Sequence, residues 1–220
     1  MRLISGRDAR TVLTDPNFEV PPVPAATAGI AGLRATVARF SSGDEHRRRR
    51  ALAAAILDGI PPESLRSAGG THPVAVLAEA MGCTEPVVDL VRDVAQAYQP
   101  GTGDEARADA AVHRLVELVG GVLDEPAAAR IGVLVQACVA TEVLIERARH
   151  TPVEEVLRDH PPVPATRRRA IARTVVGGVP IEAGEVVRVD LAGGLAFGAG
   201  PHECPGAAHV RALAGADRRS

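Results

Sequence analysis

The sequence predicts a mainly α protein with a small β part, arranged around one long central helix. Pro126 can open that helix, which is predicted to reach about His150 and is apolar on nearly all sides between residues 131 and 145. Amphipathic periodicity predicts further helices at about 86–98 and 104–119. Glycines between and around residues 175–181 and 184–189 predict two short strands and a turn.

The composition is that of a folded chain with a restricted range of chemistry. A chain of 220 residues with 46% hydrophobic residues can bury a sizeable core, and we expect a single domain over residues 1–220. The net charge of −2 argues against nucleic acid as a partner. All 25 basic residues are arginine, which excludes Schiff-base chemistry and Walker-type phosphate loops because both need lysine.

The sequence favours an intracellular location. The first residues lack the apolar stretch of a signal peptide, and we expect no run that approaches about eighteen apolar residues. Cys83, Cys138 and Cys204 form an odd, scattered set, which favours a reducing compartment over a disulfide scaffold. These observations predict a cytoplasmic protein without a membrane partner.

The first third of the chain predicts two helices, the second of which has a basic face. A short helix at 7–13 is followed by a proline-rich connection, and Ser42 or Asp44 can cap the next helix. His46 and Arg50 stand four residues apart in that second helix and therefore share one face. Spacing alone favours a solvated basic stripe as the interpretation of this face.

The long helix carries a threonine at its centre, and a shorter helix and a strand follow it. Spacing alone predicts that the Thr141 hydroxyl bonds back to the carbonyl of Ala137. Glu155 and Arg158 lie three residues apart on the shorter predicted helix, where they can form an ion pair. Residues 166–170 then predict a strand.

Ten residues near the end of the chain, 197–206, have the composition of a loop that presents a ligand. They contain three glycines, two prolines and one cysteine, and these residue types allow a sharply bent, fixed backbone. A thiolate at Cys204 suits a soft or borderline metal, and haem iron is one that takes a single protein cysteine. Zinc held by His202, Cys204 and His209 is the alternative, but it lacks a fourth ligand.

The same loop reads Phe-Gly-x-Gly-x-His-x-Cys-x-Gly, and it resembles the haem-binding loop of the cytochromes P-450 at every specified position. The resemblance implies a compact, truncated cytochrome P-450-like fold that binds haem b, with the Cys204 thiolate as the axial metal ligand. It also implies that Phe197 shields the sulfur and that His202 reaches a haem propionate. Three glycines would let the backbone approach the macrocycle: Gly198, Gly200 and Gly206.

Further segments resemble the same family in the same order along the chain. His46 and Arg50 match its His-x-x-x-Arg helix, and Arg168 matches the arginine of its following strand. The resemblance assigns these three residues to the haem propionates, a task that suits the forked donors of arginine. The chain is about half the usual length of the family, and its meander before the cysteine loop is missing.

The segment 137–141 resembles the family's oxygen-binding motif, Ala-Gly-x-Asp/Glu-Thr. The resemblance makes Ala137 a cofactor-binding residue and Thr141 the catalytic residue on the open side of the iron. Cys138 stands in place of the glycine and Ala140 in place of the acid. The acid that would supply protons is therefore missing.

The resemblance implies a small oxidoreductase, monooxygenase-like, that acts on an organic small molecule in bacterial secondary metabolism. A ferredoxin or another electron donor would then be a partner. Because the acid is missing, two alternatives stay open. One is a haem-thiolate enzyme that uses peroxide or performs dehydration or rearrangement; the other is a non-catalytic haem sensor or partner-stabilising module. Apolar surface uncovered by the missing segments predicts a homodimer or a partner protein.

Overall fold

One long helix, α7 (Glu125–Ala148), runs through the middle of the fold in a computed structural model of the protein. Its 24 residues span about 36 Å, enough to cross a domain of this size. The structure describes residues 1–66 and 71–215. Residues 67–70 and 216–220 lie outside the described residues, although the predicted single domain includes them.

The sequence explains where α7 begins and why it is central. The Asp124 carboxylate accepts the Ala127 backbone N–H at 2.9 Å, and Pro126 lies in the first turn. Ile131 and Leu144 have no exposed surface, because apolar residues surround the helix axis and other elements cover them. The predicted central helix is confirmed.

The length of α7 corrects one expectation from the sequence. By length and composition alone, this helix is apolar enough to cross a membrane, which we did not expect of any segment. Inside the protein, 56% of its apolar stretch is buried. Burial of that kind is typical of a helix that forms a protein core.

Among the described residues, six helices share the main hydrophobic core with α7. The predicted helices at 86–98 and 104–119 are among them. The apolar stripe of each of these two helices predicted that one helix face would be buried, because an apolar face must be covered by another element. Arg48 and Arg49, on helix α3 (Gly43–Asp58), bind the Glu125 carboxylate at 2.8 and 2.9 Å. These contacts tie α3 to the start of α7. The six are α2 (Gly29–Thr36), α3 (Gly43–Asp58), α4 (Pro73–Ala80), α5 (Val88–Gln96), α6 (Glu105–Leu118) and α9 (Ala207–Gly215).

A small β part lies beside the helices and has its own hydrophobic core. Four strands form one sheet in the order β1-β6-β3-β2, in which only the β1–β6 pair is parallel among the described residues. Helix α1 (Gly6–Thr14) packs on this sheet, where Val12, Val187 and Val189 have no exposed surface. The strands are β1 (Leu3–Ile4), β2 (Phe18–Glu19), β3 (Ala165–Ala170), β4 (Thr174–Val176), β5 (Val179–Ile181) and β6 (Val186–Asp190).

The predicted strand over residues 175–181 is wrong as a single strand. It is a hairpin in which β4 and β5 pair antiparallel. The two turn residues, Gly177 and Gly178, have φ of +56° and +79°, the backbone that a tight two-residue turn requires. The two glycines therefore form the turn between β4 and β5.

The predicted Glu155–Arg158 ion pair is also replaced by another contact. Both residues lie on α8 (Val153–Asp159), as predicted. The Arg158 guanidinium, however, binds both oxygens of the Asp159 carboxylate, at 3.0 and 2.7 Å. A two-point contact with a neighbour satisfies the fork of arginine better than a single i,i+3 contact does.

Candidate functional site

Backbone hydrogen bonds shape the loop that carries Cys204. The Cys204 N–H donates to the Phe197 carbonyl at 2.8 Å, and the Gly198 N–H donates to the Leu195 carbonyl at 2.7 Å. The Gly206 amide donates to the Cys204 sulfur. Burial nevertheless raises the pKa of the Cys204 thiol, so the sulfur is protonated at neutral pH in the absence of a metal.

Gly200 is required by the packing of this loop against α1. Its φ of +70° lies in the left-handed region. A side-chain carbon at this position would lie 2.9 Å from the Leu13 carbonyl oxygen and 3.2 Å from the Thr14 Cα. Within the protein itself, the residue must therefore be glycine so that the end of α1 can touch the loop.

Phe197 lies at the start of the loop against the side chains of two helices. The Arg211 guanidinium of α9 lies over its ring, 4.6 Å from the ring centroid. The Glu154 carboxylate of α8 holds that guanidinium through a 2.7 Å bond to Nε. The shielding of the Cys204 sulfur by this ring stays a prediction.

Four of the predicted cofactor-binding residues meet beside the cysteine loop. The rings of His46 on α3 and His202 before Cys204 stack with centroids 3.8 Å apart. The charges of Arg50 on α3 and Arg168 on β3 act on both rings and lower the pKa of each histidine. Three separate parts of the chain thus supply one basic cluster, which comprises His46, Arg50, Arg168 and His202.

Arg168 is the most confined charge of the basic cluster. Its exposed fraction is 4%, and its guanidinium donates to the Arg167 carbonyl at 2.9 Å and the Thr166 hydroxyl at 3.4 Å. Burial, with the nearby charge of Arg39, lowers the pKa of Arg168 to about 10. A buried guanidinium without a carboxylate is costly, so this position is suited to an anionic ligand.

The two histidines of the basic cluster respond to the same surroundings. Burial is the largest cause of the lowered pKa of His46, followed by the charges of Arg50 and Arg168. Burial, with His46 and the nearby arginines, lowers the pKa of His202 to about 3. Both rings are therefore neutral at pH 7 and available as N–H donors.

The basic cluster fits a group that brings two carboxylates. Among residues 1–66 and 71–215, no carboxylate forms an ion pair with His46, Arg50, Arg168 or His202. Haem carries two propionates, and Cys204 beside the cluster offers the sulfur that a haem iron accepts. The chemistry of the donors therefore fits haem.

Thr141 on α7 differs from what helix geometry alone predicts. Its side chain has no exposed surface, and its hydroxyl has no hydrogen-bond partner in the part of the chain that the structure describes. The expected bond to the Ala137 carbonyl is therefore absent. An unpartnered buried hydroxyl is costly, so the position is compatible with the predicted role toward a ligand. Ala137, one turn earlier, is partly buried.

The acidic residue after Thr141 already has partners. The Glu142 carboxylate accepts from the His72 ring and from Arg92 Nη2, the latter at 2.9 Å. His72 also accepts the Val74 N–H at Nδ1 and so begins α4. Its proton is therefore on Nε2, where it is donated to Glu142. These contacts satisfy Glu142 away from Thr141.

The zinc alternative is wrong in this structure. His209 points its Nε2 at the Leu57 and Ile60 carbonyls, at 3.0 and 2.9 Å. Within the described ranges, the group of side chains that could hold a metal without haem is His72, Cys138 and Glu142, not His202, Cys204 and His209. Burial raises the pKa of Cys138 to about 11, and its neighbours already bond to each other.

Arg39 is a site residue that the sequence did not reveal. It lies in a 3-10 turn (Ala38–Phe40) between α2 and α3, and its charge lowers the pKa of Arg168 and of His202. The sequence contains no signal for it, because Arg39 has no motif of its own. Only the approach of β3 to this turn makes it part of the site.

The pH dependence of stability tests the environment of His46. The unfolded chain takes up a proton near the ordinary pKa of 6.5, whereas the folded protein resists it because burial, Arg50 and Arg168 lower the pKa. The stability due to neutral His46 is complete above that value and is lost as the pH falls below it. We expect His46→Gln to flatten the fall in unfolding free energy between about pH 7 and about pH 5.

Urea denaturation of the haem-free protein at a series of pH values measures this slope. His113→Gln is the matched control, because its side chain is 80% exposed and makes only a surface contact with Glu117. An unchanged slope in His46→Gln would contradict the buried, neutral state of His46.

Comparisons with known proteins give a match in three dimensions only. No protein-family model matches the sequence, and no curated protein matches it in sequence. A thermophilic cytochrome P-450 from Sulfolobus tokodaii superposes with a TM-score of 0.74 at 18% identity, over 96% of this chain and 83% of that one. The cytochrome P-450 BioI, solved with an acyl carrier protein carrying hexadec-9Z-enoic acid, gives 0.66 at 19% identity, over 96% and 81%.

A third similar structure is the cytochrome P-450 TxtC, which hydroxylates thaxtomin at aliphatic and aromatic positions. It gives a TM-score of 0.62 at 18% identity, over 98% of this chain and 82% of that one. Each likeness covers nearly all of the chain. The protein therefore has the fold of the cytochromes P-450.

Proposed function

We propose that the chain is a haem-thiolate protein that binds haem b through Cys204. The basic cluster carries this proposal, because its four side chains converge beside the cysteine loop without a carboxylate of the described chain to pair with them. Two haem propionates would supply the missing negative charge. The cytochrome P-450 fold supports the same assignment.

The proposed activity is monooxygenase-like oxidation of an organic small molecule. Haem with an axial thiolate supplies chemistry that favours O–O cleavage. TxtC, a structure of similar fold, hydroxylates a small molecule, which supports this class of substrate. We also propose that the protein works in the cytoplasm, as one domain, in bacterial secondary metabolism.

On the distal side, the chain offers a hydroxyl but no free acid next to it. Thr141 Oγ1 is buried and unpartnered among the described residues, so it can donate to or accept from a bound ligand. Ala140 has no ionisable side chain that could donate a proton, and the Glu142 carboxylate is already hydrogen-bonded to His72 and Arg92. This observation favours a second candidate: a haem-thiolate enzyme that uses peroxide, or that performs dehydration or rearrangement.

A ferredoxin or another electron donor is the proposed partner of the first candidate. A groove of about 250 Å³ lies beside Phe197, and three arginines (Arg10, Arg158, Arg211) and two glutamates (Glu154, Glu203) line it. Arg211 pairs with Glu154 and Arg158 with Asp159, so Arg10 is the arginine of this lining that remains to contact an acidic partner. A non-catalytic haem sensor or partner-stabilising module would need the haem but not this donor.

Reconstitution with hemin tests the proposal directly. We expect the purified protein to take up one haem per chain and its reduced CO complex to show the spectral shift typical of a thiolate ligand. A protein without a Soret band after reconstitution would refute it. Once haem is bound, turnover with ferredoxin and NADPH supports the first candidate, and turnover with peroxide or no oxidant supports the second.

A further inference from the structure

Two arginines, one on α2 and one in the 3-10 turn that follows it, differ in how their charges are satisfied. The Arg34 guanidinium, 6% exposed, bonds to the carbonyls of Ala97 and Tyr98 and to the Glu105 carboxylate at 2.8 Å. Arg39, five residues later, is partly buried and has one side-chain hydrogen bond, a long one of 3.5 Å to the Thr166 hydroxyl. No carboxylate of residues 1–66 or 71–215 pairs with Arg39. Its position is therefore suited to an anion from outside the chain.

A second polar group without a partner lies close to Arg39. The Tyr98 side chain is 7% exposed, and its hydroxyl has no hydrogen-bond partner in the described part of the chain. Its ring packs on Phe40, the neighbour of Arg39, with centroids 5.3 Å apart. A buried hydroxyl without a partner costs free energy unless a ligand satisfies it.

The positions of these groups relate them to the predicted reaction centre. A side-chain carbon at Gly132 on α7 would lie 3.9 Å from the Tyr98 hydroxyl oxygen. Gly132 precedes Ala137 by five residues, which is about 7.5 Å along a helix. The distance between the Tyr98 hydroxyl and the segment 137–141, which would face the proposed haem, is therefore one that a small molecule can span.

Counting charges identifies Arg39 as the unmatched one. Three arginines, Arg39, Arg50 and Arg168, carry positive charge around the site. Two haem propionates neutralise two of the three. One positive charge remains, and Arg39 is the arginine beside the unpartnered Tyr98 hydroxyl.

We infer that Arg39 and Tyr98 form a subsite for the carboxylate of an acidic small-molecule substrate. The guanidinium and the phenol O–H would both donate to the carboxylate oxygens, and one negative charge would balance the remaining positive charge. The partly buried Phe40 ring, 5.7 Å from the Arg39 guanidinium, is the apolar group nearest to this subsite in sequence and would contact the body of the substrate. The inference rests on the proposed haem binding, because the charge count includes the propionates.

Calorimetric titration of the haem-loaded protein tests the subsite. The probes are decanoate and 4-phenylbutyrate, each compared with its own primary amide, which has the same body but no charge. We expect at least one carboxylate to bind about tenfold or more tightly than its amide, since a charge-assisted bond is worth that much. Arg39→Gln should remove most of this preference, and Tyr98→Phe should reduce it.

The variants are designed so that two kinds of failure can be distinguished. The Soret band of each variant reports haem binding independently of the probes. Arg47→Gln is the matched control, because this arginine is 73% exposed and pairs only with Asp44 within the described residues. Tyr98→Phe should also raise the melting temperature, since it removes a buried hydroxyl without a partner.

Several outcomes would overturn the subsite while leaving haem binding intact. One is that neither carboxylate binds more tightly than its amide. Another is that Arg39→Gln keeps both its haem and its preference for the carboxylate. A third is that Arg39→Gln loses haem as Cys204→Ala does, which would make Arg39 a propionate residue instead. Failure of the wild-type protein to take up hemin would instead refute the proposed function.

Discussion

Replacing Cys204 with alanine is expected to abolish the thiolate-type spectrum of the haem-loaded protein. The loop places one sulfur beside the basic cluster, whereas Cys138 on α7 is buried near His72 and Glu142, and Cys83 follows helix α4. Without the sulfur, the iron loses its axial protein ligand. The reduced CO difference spectrum measures this change, and haem uptake should fall together with it.

The control for this experiment is Cys83→Ala, which changes a partly buried thiol outside the loop. We expect that variant to keep the wild-type spectrum. A thiolate-type spectrum in Cys204→Ala would show that another residue holds the iron and would refute the assignment. The loop backbone should persist in the variant, because its hydrogen bonds involve main-chain atoms.

Replacing Arg168 with methionine is expected to have opposite effects on the haem-free and haem-loaded protein. In the absence of haem, the variant removes a guanidinium that is 4% exposed and has no carboxylate partner among the described residues. Replacing a buried ion pair by apolar side chains of similar volume is often neutral or stabilises a protein by about 1–4 kcal/mol, and Arg168 lacks even the partner that such a pair provides. Haem affinity should fall about tenfold or more, because one charge-assisted bond to a propionate is lost.

Urea denaturation of the haem-free protein and hemin titration of the same sample measure the two effects. Arg167→Met is the matched control, because its side chain is exposed on the same strand and should change stability by less than about 0.5 kcal/mol. A loss of stability in haem-free Arg168→Met would mean that the arginine is satisfied within the protein. Unchanged hemin affinity would remove Arg168 from the propionate site.

The helices were largely predictable because their signals are local. For α7, Pro126 and the run of apolar residues after it occur within one segment. For α5 and α6, the repeat of apolar positions indicated which face would be covered. The cysteine loop was also readable, since its glycines, prolines and cysteine lie within ten residues.

Contacts between neighbouring side chains were less predictable even within one element. Gly177 and Gly178 turn one predicted strand into a hairpin, because a pair of residues with positive φ reverses the chain. The Arg158 guanidinium binds Asp159 and not Glu155, although both carboxylates lie on α8. The contact with both oxygens of Asp159 is the stronger one. Such choices depend on small free-energy differences between competing contacts and on side-chain geometry.

The sequence by itself determined most of the helices, the strands β3 and β6 and the loop that presents Cys204. Only the tertiary structure decided which charges meet without a counter-charge: Arg39 contacts Thr166, 127 residues away, and the ring of His46 stacks on that of His202. The physical reason is that burial and charge pairing are properties of a place in the fold. The charge of an arginine costs little free energy in water and much free energy in the protein interior. The amino-acid sequence does not state which arginines the fold will bury.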